Sequence, residues 1–256
     1  MKIGMIQMDA ANGCVERNIS RGFQLLEEAA TQSDVLVMPE LWTIGYNFHH
    51  FEDHVLSLSD GLIEKLSSFA AYHQVTLVAG TLPIRKKDGV RNMGLVFDSS
   101  GHLKATYSKR HLFQGYLEGQ LMVPGKKCMT TTIHDVKMGM AICYELYFPK
   151  MYRKMAKSGA TLVVVPASWP LEHVSQWKVL ARARAIENGI CICAVNMTGT
   201  YHDKTLGGHS LFIDPLGHIV VEGDQKEGIF YADYDSLKYS KKGRYLSVVS
   251  EKRYGE

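Results

Sequence analysis

Three reactive side chains stand where an apolar run meets a loop: Glu40 in "VMPELW", Lys109 in "TYSKRHLF" and Cys143 in "AICYELYFP". A carboxylate emerging behind "VLVMP" is costly to desolvate unless something requires it there. A cysteine closing an apolar run packs well as a small hydrophobe, so its position alone does not separate core from chemistry. The three types together form a complete set. A thiol can attack a carbonyl or nitrile carbon, a carboxylate can take the thiol proton, and an ammonium can meet the oxygen that turns negative. Histidine is the more usual base. His111 follows Lys109 closely, but neither it nor His134, His173, His202, His209 or His218 lies in a flank that marks a Cys-His protease.

These side chains need a rigid frame, and the hydrophobic pattern supplies one. "MKIGMIQM", "RGFQLLEEAATQ", "DVLVMPE", "DGLIEKLSSFAAYHQ" and "VTLVAGTLP" alternate strand and helix periods, the rhythm of an α/β layer architecture. "KKDG" and "DSSGH" flank "NMGLVF" as hairpin turns. The order then repeats with "VKMGMAIC", "PKMYRKMAKSGA", "TLVVVPAS", "VSQWKVLARARAIENG" and "ICICAVN", and a last hairpin turns on "DPLG". "DVLVMPELW" and "TLVVVPASW" share an apolar strand, a proline and a tryptophan, which predicts two similar halves whose sheets face each other. Glu40 and Cys143 fall at carboxyl ends of strands, where open α/β sheets place their sites.

Composition narrows the classes. The 29 basic and 26 acidic side chains nearly cancel over 256 residues, and the basic cluster Arg85-Lys86-Lys87 reads as a solvated hairpin tip, so no nucleic-acid partner is expected. The 5 cysteines include no CxxC pair, which argues against a disulfide framework and a zinc cage. No run reaches membrane-spanning length and the N-terminal apolar run breaks at Asp9, so a cytoplasmic protein without a membrane partner is expected.

The motifs "PELW" with "TIGY" behind it, "YSKRHLF", "CYELYFP" and "ARAIEN", in this order, resemble the nitrilase superfamily of carbon-nitrogen hydrolases. The resemblance covers nearly the whole chain. It implies one domain over residues 1–256 with a four-layer α-β-β-α sandwich of two face-to-face mixed β-sheets. It also implies Glu40 as general base, Lys109 as oxyanion-stabilising lysine, Cys143 as nucleophile and Glu118, in "EGQLMVPG", as a further acidic partner. No metal and no cofactor is implied. The expected reaction is hydrolysis of a small linear amide through a thioester, with Tyr46, Tyr144, Trp169 and Trp42 as pocket walls. A nitrilase or N-carbamoyl amine hydrolase using the same residues, and a binding module without turnover, are the alternatives. A homodimer is expected, with the tail from about residue 236 at its interface.

Three positions depart from the superfamily pattern. Glu145 replaces an aspartate common in close members, and Leu146 and Tyr147 stand where relatives that process carbamoyl amino acids place arginines. A substrate carboxylate would then need Arg182, Arg184 or Lys178 to reach in. Glu187, on the same predicted helix, reads as structural.

Overall fold

The computed structural model describes residues 1–10, 14–48, 50–115, 117–201 and 204–243. The first half runs β1 (Lys2–Gln7), α1 (Val15–Ala30), β2 (Val35–Val37), α2 (Gly61–His73), β3 (Thr76–Lys86), β4 (Gly89–Phe97) and β5 (Leu103–Ser108), and a short turn α3 (Glu118–Leu121) leads out of it. The second half runs β6 (Met129–Ile133), β7 (Val136–Met140), α4 (Pro149–Lys157), β8 (Leu162–Pro166), α5 (Val174–Asn188) and β9 (Cys191–Val195). A hairpin, β10 (Thr198–Tyr201) and β11 (Lys204–Gly207), precedes β12 (Leu211–Ile213), β13 (Ile219–Glu222), β14 (Gly228–Asp233) and α6 (Ser236–Gly243).

Among the described residues the strands form two six-stranded mixed sheets and the small β10-β11 pair. Edge to edge, one sheet reads β14-β1-β2-β3-β4-β5 and the other β6-β7-β8-β9-β12-β13. Both follow the same pairing sequence: antiparallel, parallel, parallel, antiparallel, antiparallel. The echo between "DVLVMPELW" and "TLVVVPASW" therefore maps onto corresponding central strands, β2 and β8. The prediction of two similar halves holds at the level of topology.

Period-2 alternation sorts each strand's side chains between two faces. In the first sheet Ile3, Met5, Val35, Val37, Val78 and Val96 point inward and join Met138 and Met140 of the second in one core. Ile6, Leu36, Leu77 and Leu95 point the other way and pack with Leu25 and Leu26 of α1 and Leu62 and Leu66 of α2. The second sheet is covered in the same manner by Met155 of α4 and Trp177 and Ala181 of α5. The layers are α-β-β-α, as expected. Asp60 caps α2 by accepting the Leu62 N–H at 2.9 Å, and α5 stops at Gly189 in a left-handed conformation.

α6 docks on its own chain: Tyr239 is buried and its ring lies against Phe212 and Tyr234. The remainder of the tail predicted at a dimer interface lies outside the described residues.

Candidate active site

Glu40 is delivered by the extension of β2. Met38 N–H bonds to the Val78 carbonyl at 2.9 Å, and Thr81 N–H to the Pro39 carbonyl at 3.2 Å, across a register shift in β3. Gly80 makes that approach feasible. Its φ is +60° and a Cβ there would lie 2.0 Å from the Pro39 oxygen. Thr81 then accepts the Leu41 N–H through its hydroxyl at 2.9 Å, which pins the chain just past Glu40. Lys109 follows β5, its N–H on the Asn92 carbonyl at 2.9 Å and its own carbonyl accepting from Gly125 at 2.7 Å. Cys143 opens a single 3-10 turn, Cys143–Tyr147, and carries φ +47°. Such a conformation is unfavourable for a residue with a side chain and persists where the surroundings enforce it.

The four polar side chains meet out of solvent: Glu40 and Glu118 are 0 % exposed, Lys109 1 % and Cys143 8 %. Lys109 Nζ donates to Glu40 Oε1 at 2.8 Å and to both Glu118 oxygens at 2.9 Å. Asn92 Nδ2 bridges the same carboxylates, at 2.8 Å from Glu40 Oε1 and 2.7 Å from Glu118 Oε1. Glu118 Oε2 also accepts the Phe113 N–H at 2.9 Å and the Tyr46 hydroxyl at 3.1 Å. The other Glu40 oxygen accepts the Ser168 N–H at 3.1 Å, from the opposite half of the molecule. The Cys143 thiol lies near enough to the Glu40 carboxylate and the Ser168 N–H for both to act on its proton.

The charges explain the protonation states. Burial, and then the Glu40 charge, push the Cys143 thiol well up, and Lys109 only partly offsets them. Burial raises Glu40 as well; Lys109 opposes that shift and Glu118 adds to it. Burial alone would lower Lys109, but Glu118, Glu40 and Cys143 together push it up, so it stays an ammonium. The arrangement is a neutral thiol beside a carboxylate of raised basicity, with a fixed cation bonded to that carboxylate. It can accept a proton from sulfur and stabilise an oxyanion, which is the equipment for acyl transfer.

Residues 2–241 match the carbon-nitrogen hydrolase family. The chain belongs to that family. It is 37 % identical over 235 residues to a 2-oxoglutaramate amidase of Bacillus subtilis, covering 91 % of this chain and 90 % of that protein. The crystal structure of a hydrolase of the superfamily from Xanthomonas campestris, with an arsenic adduct in its active site, superposes with a TM-score of 0.89 at 27 % identity, covering 94 % of this chain and 92 % of that one. A mutant of an amidase from Nesterenkonia, in which the acetamide moiety of fluoroacetamide is covalently added at the active-site cysteine, gives 0.85 at 26 %, covering 95 % and 94 %. The chain is an amidase-type carbon-nitrogen hydrolase of the nitrilase superfamily.

Around the hydrolase's thiol the aromatic residues divide. Tyr46 reaches Glu118, and Tyr144 packs edge-on against Phe113 and Phe148. Trp169 stacks on Tyr147 with centroids 5.6 Å apart, and Tyr147 in turn donates to Gln176 at 2.6 Å. Trp42 is not part of this set. Its ring lies in the outer layer under α1, donating to the Ala79 carbonyl at 3.0 Å, and a Cβ on Gly22 would come within 2.6 Å of it. The expectation of Trp42 as a pocket wall is therefore corrected: its ring is fully buried in the outer core with Leu25, Leu26 and Met38.

Sequence reasoning missed Asn92 and Ser168. Asn92 had a signal, an amide opening the apolar run "NMGLVF", where an unpaired polar group is costly once buried. Ser168 also had one, since it stands beside the position that corresponds to Glu40 in the internal echo. The cations that could have reached a substrate carboxylate are engaged elsewhere. Arg182 donates to the Gly217 carbonyl at 2.8 Å, Arg184 to the Leu146 carbonyl at 2.8 Å and Glu187 at 2.7 Å, and Lys178 pairs with Glu222 at 2.5 Å. Glu187 holds Arg184 and accepts from Asn188 at 3.2 Å, the structural part read for it.

Proposed function

We propose that this hydrolase cleaves small linear amides with Cys143 as nucleophile, Glu40 as general base and acid, and Lys109 as the oxyanion cation. As the substrate arrives, the Cys143 proton passes to Glu40 and the sulfur bonds to the carbonyl carbon. The carbonyl π electrons move to oxygen, which lies between Lys109 Nζ and the Tyr144 N–H, one of the first donors of a short turn and so without an acceptor inside it. Collapse of this intermediate breaks the C–N bond, and ammonia leaves with the proton held by Glu40. Water then gives a proton to Glu40 and attacks the thioester; the second collapse expels sulfur, which recovers its proton. Glu118 fixes Lys109 and faces the leaving amine, while Tyr46, Tyr144 and Trp169 enclose the acyl chain.

The observation that carries the reading is the Lys109 ammonium held by two buried carboxylates, one of which, Glu40, also acts on the buried Cys143 thiol. The test is ammonia release from a panel of short amides, with intact mass measurement of the enzyme. Cys143→Ala abolishes release and the acyl adduct; release that survives it refutes the assignment, and nitriles turned over as well as amides refute the substrate class.

Within that class, the engagement of Arg182, Arg184 and Lys178 supports an uncharged acyl end. The Bacillus subtilis relative favours a second reading, 2-oxoglutaramate. Butyramide and 2-oxoglutaramate compared at equal concentration separate the two.

We also propose a homodimer. Tyr147, Val179 and Ile186 are large apolar side chains left 42 %, 65 % and 41 % exposed, the last two on α5, and their burial against a second copy fits this count. Sedimentation at monomer mass across micromolar concentrations defeats it.

A further inference from the structure

Glu145 is a fully buried carboxylate that the reaction above does not use. Its Oε2 accepts the Ile142 N–H at 2.8 Å, and its Oε1 accepts the Arg110 N–H at 2.8 Å and the His111 N–H at 3.2 Å. The Tyr107 hydroxyl donates to both oxygens at 2.9 Å. Ile142 immediately precedes Cys143, Arg110 immediately follows Lys109, and Tyr107 lies on β5, the strand that delivers the lysine. One side chain thus joins the backbone bearing the nucleophile to the backbone bearing the cation. A ring contact closes the same seam on the outside, with His111 stacked on Phe148 at 3.7 Å and 16°.

From this geometry we propose that Glu145 is a positioning residue that sets the separation between the Cys143 thiol and the Lys109 ammonium. The proposal rests on the roles given above to those two residues. The three backbone donors can only give a proton, so an acceptor is required at both ends of the group. A glutamine of the same shape turns its NH2 toward one set of these N–H groups, leaves donors unpaired and parts the two loops there. Misplacement by about 1 Å can cost about 10²-fold in rate, and only for a step that needs thiol and cation together.

The test uses the full-length enzyme and three readouts: kcat and KM for a short amide, the thermal midpoint, and the rate at which methyl methanethiosulfonate modifies Cys143. That reagent needs the thiol but forms no oxyanion on carbon. Glu145→Gln lowers kcat by about 10²-fold, leaving KM and the thiol modification rate within about threefold of wild type. Tyr107→Phe, which keeps every backbone bond to the carboxylate, costs less than about fivefold. A folded Glu145→Gln enzyme with wild-type kcat overturns the proposal, and so does a parallel fall in turnover and thiol modification, which marks general loosening. Should Glu145→Gln fail to fold, Glu145→Asp is too short by one methylene to hold both sides and carries the same split and the same overturning outcomes. Cys143→Ala runs alongside. Turnover surviving there removes the reading of the site, whereas a silent Cys143→Ala enzyme with a fully active Glu145→Gln enzyme removes only the role of Glu145.

Discussion

Lys109 is held in place by carboxylates rather than by solvent. Its Nζ lies 2.8 Å from Glu40 and 2.9 Å from Glu118, and all three side chains are sealed from water. Replacing the cation has two separate costs. On the roles proposed above, the oxyanion loses a donor, worth about 10² to 10³ in kcat, and two buried carboxylates are left facing each other, so one of them takes up a proton and Glu40 is spoiled as a base. Lys109→Met is therefore expected to lose at least about 10³-fold in kcat, measured by ammonia release, while Cys143 remains present to alkylating reagents. The same charges set an alkaline limit to stability. Cys143 and Lys109 both hold their protons more tightly in the folded protein than in the unfolded chain, whose ordinary values are 9.0 and 10.5. A raised value contributes stability below the unfolded pKa and loses it as pH rises beyond. The unfolding free energy is expected to fall above pH 9 and more steeply above 10.5, by up to about 1.4 kcal/mol per pH unit for each group, and thermal midpoints fall with it. Cys143→Ala should flatten the first part of that fall, and an unchanged slope between pH 9 and 10 contradicts the assignment.

At the scale of elements, the site is made by where strands stop. Gly80 lets β3 pass beneath the Pro39 carbonyl, so Gly80→Ala combines an unfavourable φ with a collision at the base of Glu40. It is expected to cost about 1 to 3 kcal/mol in stability and to lower kcat in the protein that remains folded. Equal activity per folded molecule would show that Glu40 does not depend on this approach. The two strand-end tryptophans have separate outcomes. Trp42→Ala empties the layer under α1 and costs about 3 to 5 kcal/mol with KM unchanged, whereas Trp169→Phe shifts KM with little loss of stability. Both tryptophans follow a central strand and a proline, and nothing in their local sequence separates them. What separates them is the layer in which each ring packs, a tertiary effect: Trp42 in the outer core under α1, Trp169 against Tyr147 and Trp177. The strands and helices themselves were legible because apolar periods and turn residues are local, and the sites at the ends of β2 and β7 followed from them. Asn92, Ser168 and Glu145 were not assigned roles, because their significance lies in partners far along the chain: 52 positions for Asn92 to Glu40, 128 for Ser168 to Glu40 and 35 for Arg110 to Glu145.

For the whole molecule, the consequence of two matching halves is that neither is complete. The inner face of each sheet is covered by the other, with Met5 and Val37 from one side and Met138 and Met140 from the other in a single core. The site crosses the same boundary. Glu40 N–H bonds to the Ala167 carbonyl at 3.4 Å, the Ser168 hydroxyl to the Glu40 carbonyl at 3.0 Å and the Ser168 N–H to the Glu40 side chain, so Glu40 is held from the half that bears Cys143. Separating the halves would expose an apolar sheet face at about 25 cal/mol per Å² and break this seam in the same event. Loss of ammonia release, loss of the far-ultraviolet circular dichroism of the sheets and exposure of Cys191 and Cys193, both fully buried in β9, are therefore expected at one urea concentration. If activity disappeared at lower urea while Cys191 and Cys193 stayed protected, the seam would be a hinge that opens on its own, and the two sheets would fold as separate units.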